Sequence, residues 1–165
     1  MKNGFTMIEL VVSAGIMAVL SVTLVSVLAN TYQASNRITA VAEVEQQGSW
    51  VIGQLKQVVP LAQSNSLTCT PGVDMPFLDM KNVLDGLDTT IICNEDVQKI
   101  ASRSASRAED IDWVNGLVIN CPKFATCEGE VGGKVNAVKF SFTLSKQAVG
   151  QTISREFNTR ILLRN

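Results

Sequence analysis

A short polar leader, Met1-Lys2-Asn3-Gly4, gives way abruptly to an apolar run from Phe5 to Ala29 that carries one charge, Glu9. As an α-helix at about 1.5 Å per residue the run is roughly 37 Å long, enough to cross a hydrocarbon core of about 30 Å. An ionisable side chain inside such a segment costs about 2.5–3.5 kcal/mol on insertion scales, so it needs a partner or a role. The run therefore predicts a membrane-spanning helix whose carboxylate is functional. A cleavable secretory signal is the rival reading, with Val27-Leu28-Ala29 as a small-residue cleavage site ahead of Asn30. The run is longer than the usual core of about 7–15 residues and holds Glu9 within it, which argues against that rival.

Gly4 followed by Phe5-Thr6-Met7-Ile8-Glu9 resembles the processing site of type IV prepilins and the related pseudopilins. The resemblance implies that a membrane-embedded prepilin peptidase and methyltransferase cuts between Gly4 and Phe5 and methylates the new amino terminus of Phe5. It implies also that Glu9 meets the Phe5 amine of a neighbouring subunit during assembly. Opposite charges attract far more strongly in a low-dielectric bundle than in water, and pairing offsets the burial of each. Gly4 suits a peptidase because a residue without a side chain allows close approach to the scissile bond. Two departures from the family stand out. The leader has one basic residue, Lys2, so the positive-inside bias is small, and the run lacks the proline that major pilins often carry.

At 165 residues the chain is sized for one compact domain plus an extended element. Its formal net charge of −1 gives no global basic field, so nucleic acid is not an expected partner. There is no histidine, which removes Ser-His-Asp and Cys-His catalysis and the commonest metal ligand together. No enzyme activity, cofactor or metal is expected. Cys69, Cys93, Cys121 and Cys127 all lie beyond the apolar run, and an even count in an exported chain suits structural disulfides. Of the possible connectivities, spacing favours Cys121 with Cys127, stapling the residues from Pro122 to Thr126, and hence Cys69 with Cys93.

Past the apolar run the helix is predicted to continue. From Asn30 to Val59 there is no proline, and Ile38, Val41, Val44, Val51, Leu55 and Val58 recur as an amphipathic stripe before Pro60 stops it. From Leu61 to about Pro76 the composition is loop-like, and Phe77 to Leu87 has no strong period. Thr89 to Cys93 reads as a strand, Asn94 as the cap of a short helix, and Ser102 to Arg107 as an exposed loop. Trp113-Val114 and Gly116 to Cys121 form a buried-strand candidate. Val138, Phe140, Phe142 and Leu144 alternate with polar residues and, after a turn at Ala148-Val149-Gly150, Ile153, Phe157, Ile161 and Leu163 share one side of a second strand. This pair reads as an antiparallel hairpin whose apolar face lies on the helix stripe. Trp50 and Trp113 are expected in packing.

The expected fold is α+β: a long N-terminal helix packed on a small antiparallel sheet of about four strands. The expected division is a leader at 1–4, a transmembrane or filament-core helix at 5–29, an amphipathic spine helix at 30–59 and a β-rich head at 60–165. Glu109, Asp110 and Asp112, with Glu128 and Glu130, lack EF-hand spacing and read as surface carboxylates. Arg103 and Arg107 lack the interleaved aromatics of a nucleic-acid surface. The resemblance implies a minor pilin or pseudopilin held in the inner membrane with its head outside the cytoplasm, then built into a type IV pilus or pseudopilus. Its partners would be the peptidase, other subunits and an inner-membrane assembly platform. The competing class is a signal-anchored extracytoplasmic domain that binds a ligand and never polymerises.

Overall fold

A helix of 52 residues, α1 (Met7–Val58), opens the computed structural model. The structure describes residues 6–62, 67, 72–81, 86–104, 110–129 and 135–163. The chain forms two compact units, Met1–Thr39 and Ala40–Asn165. α1 contributes to both and runs unbroken because no proline interrupts it. It ends in a 3-10 turn, Val59–Leu61, with Pro60 inside and the Ala62 N–H closing onto the Val59 carbonyl at 3.0 Å.

The described strands of the second unit are β1 (Asp74–Met75), β2 (Phe77–Lys81), β3 (Asp88–Asn94), β4 (Lys99–Ser104), β5 (Ile111–Asp112), β6 (Val118–Asn120), β7 (Ala125–Gly129), β8 (Val135–Ala148) and β9 (Gln151–Leu162). They make two antiparallel sheets where one of about four strands was expected. One has the order β2-β3-β4-β5. The other is centred on β8, which pairs with β9 along one side and with β7 and β6 along the other. The α+β layout stands as read.

The β8–β9 hairpin forms where its alternation places it. Val138, Phe140, Phe142 and Leu144 are buried, and Phe157, Ile161 and Leu163 face them from β9 or just beyond it. Val149 and Gly150 both have positive φ (43° and 74°), the conformation that a two-residue hairpin turn of matching twist requires. Along residues 40–58 the buried stripe is Ala40, Val44, Gly48, Val51 and Leu55. Ile38 is 69% exposed and Val41 half-buried, so the expected stripe is rotated toward Gly48. Gly48 belongs there because the Phe157 ring lies against its backbone; a Cβ at that point would overlap ring atoms Cζ, Cε1 and Cε2. Phe157 in turn stacks on Phe142 at 5.4 Å and 19°.

Four local expectations change. Phe77 to Lys81 is a strand, with Leu78 and Met80 buried between exposed or half-buried neighbours. β1, inside the expected loop, pairs with β7. The Asn94 side chain does accept backbone N–H groups, from Asp96 at 2.9 Å and Val97 at 3.2 Å, but it closes a turn into β4 instead of capping a helix. β4 absorbs Ser102 to Ser104 of the expected loop. Of the tryptophans, Trp113 is 6% exposed and packs in the core, whereas Trp50 is 58% exposed.

The disulfide expectation is overturned: Cys93 is bonded to Cys121, with Cα atoms 6.5 Å apart, joining the end of β3 to the residue after β6. The reason is topological. β6 and β7 lie end to end along β8, Asn120 opposite Thr143 and Cys127 opposite Val138. At about 3.4 Å per residue this separates Cys121 from Cys127 by about 14 Å, and a disulfide cannot span Cα atoms more than about 7 Å apart. Cys127 is also disulfide-bonded, and Cys69 lies outside the described residues.

Candidate functional site

The feature that needs a functional explanation is the apolar part of α1. No described residue of 7–39 is buried, and the helix is long and apolar enough to cross a membrane as a single-pass anchor. The hydroxyls of Ser13, Ser21, Thr23, Ser26 and Thr31 bond back to their own helix. Ser13 donates to the Leu10 carbonyl, Ser21 to Met17, Thr23 to Leu20, Ser26 to Thr23 and Thr31 to Val27, at 2.7–3.0 Å. A hydroxyl that bonds back to its own helix can enter hydrocarbon or another helix's surface with no unmet donor.

Glu9 lies in the first turn of α1 and is exposed. A negative charge there is favoured by the positive end of the helix dipole. The N–H groups of Glu9 and Leu10 donate to the Thr6 carbonyl at 3.1 and 3.3 Å, and the Thr6 hydroxyl lies 3.4 Å from a Glu9 carboxylate oxygen. Thr6-Met7-Ile8-Glu9 has the Thr-x-x-Glu spacing of a helix start, a signal the sequence carried and the motif reading passed over. Gly4 and Phe5, the expected cleavage and methylation residues, lie outside the described residues. Leu10, Ser13, Ala14, Met17, Ala18 and Ser21 line a shallow groove along one side, where small side chains let another helix approach closely.

Several charged residues of the head are paired. Asp110 accepts from Arg103 Nε at 2.6 Å and from its terminal nitrogen at 3.2 Å, with Lys99 Nζ at 3.4 Å. Lys99 also reaches Asp112 at 2.7 Å. The Arg103 guanidinium holds the Asp110 carboxyl below its ordinary range, and the bond to Asp112 raises the Lys99 ammonium above its own. Asp110 and Asp112 are thus engaged by cations, and Arg103, which does not read as part of a nucleic-acid surface, is held by a carboxylate. Glu128 meets Arg160 at 2.6 Å. Glu109, Arg107 and Glu130 lie outside the described residues. Asp74 is likewise lowered, by the Thr126 hydroxyl at 2.7 Å and Lys123 at 3.0 Å.

Residues 40–58 of α1 are tied to the rest of the head by polar contacts as well as by the stripe. Glu43 pairs with Lys146, and Glu45 with Arg155 at 3.0 Å. The Gln47 amide grips the backbone of Asn115 twice, donating to its carbonyl and accepting from its N–H, both at 2.9 Å. No family model, curated protein or solved structure matches the chain.

Proposed function

We propose that the chain is a structural subunit, a minor pilin or pseudopilin, of a type IV pilus or a secretion-type filament. The observation that carries this reading is the uncovered apolar helix with Glu9 in its first turn. A plain anchor needs no carboxylate at that depth, and an unpaired one is costly in hydrocarbon. Cut after Gly4, the chain presents the Phe5 amine as a new cation. Glu9 of one subunit then receives the Phe5 amine of the next, and the pair offsets the desolvation of both charges. The groove of small residues and the self-satisfied hydroxyls suit helix-on-helix packing in a filament core as well as they suit lipid. The head is the part such a subunit presents outside the membrane. The partners of this reading are the prepilin peptidase and methyltransferase, other subunits and the assembly platform.

The test is the intact mass and amino-terminal sequence of the protein recovered from membranes of its host. A start at N-methylated Phe5 supports the proposal, and Gly4→Ala should then leave the precursor uncut. A start at Asn30 would mean a secreted domain, and an uncut Met1 a plain anchor. Either refutes the assembly role of Glu9.

A further inference from the structure

The disulfide joins residues 28 apart, although Cys127 lies 127 − 121 = 6 residues from Cys121. In a structureless chain the entropy of loop closure favours the shorter loop by about tenfold. Once the sheet has formed, collinear β6 and β7 hold Cys121 away from Cys127; before that, the β3–β4 turn is placed to reverse the preference.

We propose that Glu95 and Gln98 select Cys93 as the partner of Cys121, by holding the free edge of β6 against the β3–β4 turn before the disulfide forms. The turn is fixed by the Asn94 side chain at its start, and by Gln98, whose φ is 53° and whose N–H donates to the Glu95 carbonyl at 3.3 Å. The Gln98 side-chain amide donates to the same carbonyl. Its oxygen is thereby aimed across the gap between the sheets, where it accepts the N–H of Ile119, while the Glu95 carboxylate accepts the N–H of Cys121. Ile119 and Cys121 are two residues apart, so their N–H groups point to the same side of the strand. β8 occupies the other side of β6. Two side chains of one turn therefore stand in for a neighbouring strand, and they do so beside Cys93, which closes β3 with Asn94.

Neither bond requires the disulfide. In the reduced chain they bring the Cys93 and Cys121 thiols together. The thiolate of one attacks a small disulfide such as glutathione disulfide and releases one glutathione. The second thiolate then displaces the other glutathione, so two thiols are oxidised, one small disulfide is reduced and the two thiol protons end on the two released glutathiones. A hydrogen bond to a charged acceptor changes an equilibrium by a factor of about ten to a hundred, enough to outweigh the tenfold advantage of the short loop. Glu95 and Gln98 are positioning residues in this scheme.

The test is oxidative refolding of the reduced full chain in detergent with a glutathione buffer, followed by mapping of disulfide-linked peptides without reduction. The wild type should give the Cys93–Cys121 link. In Glu95→Ala/Gln98→Ala its ratio to Cys121–Cys127 should fall about tenfold or more. Glu95→Gln, which keeps a neutral acceptor of the same shape, should lower the ratio less than the double variant does. An unchanged ratio in the double variant overturns the proposal, as does mispairing of Glu95→Gln to the same extent. To separate mispairing from misfolding, the natively linked fraction of the double variant is isolated and its near-ultraviolet circular dichroism recorded. A wild-type signal supports the positioning role, and its loss assigns the effect to folding and overturns it.

Discussion

Substituting alanine for each of two glycines of α1 should have opposite effects on stability. In an open helix interior Gly→Ala stabilises by about 0.8–1.0 kcal/mol. Gly53 is exposed and a Cβ there meets nothing within 4 Å, so Gly53→Ala should deliver that gain. At Gly48 the same methyl overlaps the Phe157 ring. The ring cannot swing away, because it stacks on Phe142, which is 1% exposed and directly opposite in the β8–β9 register. Overpacking of a tight core costs about 1–3 kcal/mol, and the strand must shift at a point where both neighbours are fixed, so the upper part of that range applies. Subtracting the helix gain leaves a net loss of about 1–2 kcal/mol. For a head of this size each kcal/mol moves the melting temperature by about 3–5 °C. The assay is thermal unfolding of the full chain in detergent, followed by the near-ultraviolet signal of the buried Trp113. Gly53→Ala should melt about 3–5 °C higher than wild type and Gly48→Ala about 3–10 °C lower. Phe157→Leu should cost less stability in the Gly48→Ala background than alone, because it removes the clash. A Gly48→Ala protein that melts at or above wild type would refute the close-packing argument.

Three further outcomes follow from other contacts. Glu9→Ala should still be cut and methylated but should enter filaments poorly, and wild-type incorporation in a pull-down of assembled filament would remove the pairing role. Asp110 is lowered in the folded state from an ordinary value of 3.8, so its contribution is present above that value and is lost as pH falls below it. The melting difference between wild type and Asp110→Asn should accordingly be constant near neutrality, begin to shrink as pH falls below 3.8 and go on shrinking through the lower folded value, and a difference that does not shrink at all as the solution is acidified below 3.8 would contradict the ion pair. Gln47→Ala removes two neutral hydrogen bonds and should cost about 1–2 kcal/mol. It should also open the Asn115 amide to hydrogen exchange; unchanged protection would show that the grip contributes nothing.

Much of the fold was legible where one periodicity dominates. The β8–β9 hairpin could be read because its apolar residues alternate over many positions beside a Val-Gly turn. The apolar run and Glu9 could be read because a lone charge contrasts with its surroundings. What escaped depends on contacts between distant residues. Gly48 carries no apolar label, yet it lies on the buried stripe because Phe157, more than a hundred positions away, needs its missing side chain. Trp50 has the composition of a packing residue and the phase of an exposed one, and only the true centre of the stripe separates the two. Asn94 offers the same oxygen to a helix start and to a tight turn; the positive φ of Gln98 decides between them. Sequence nearness argued for Cys121 with Cys127, and the collinear placement of β6 and β7 along β8 forbids it in the folded sheet. The ion pairs of Glu43 and Glu45 bridge the helix to β8 and β9, which no local pattern encodes.

One helix thus carries two chemically different solutions. Residues 40–58 bury a stripe and commit their flanking Glu43, Glu45 and Gln47 to the head. Through Thr31 the earlier part buries nothing, satisfies the hydroxyls described above within itself and leaves Glu9 on its surface. Perturbations should divide in the same way. Gly48→Ala should lower the melting temperature of the head while leaving the amino-terminal processing of the chain unchanged. Glu9→Ala should leave that melting temperature unchanged while assembly fails. If Glu9→Ala instead lowered the melting of the head, its effect on filaments would follow from instability, and the case for a charge read by a neighbouring subunit would fall.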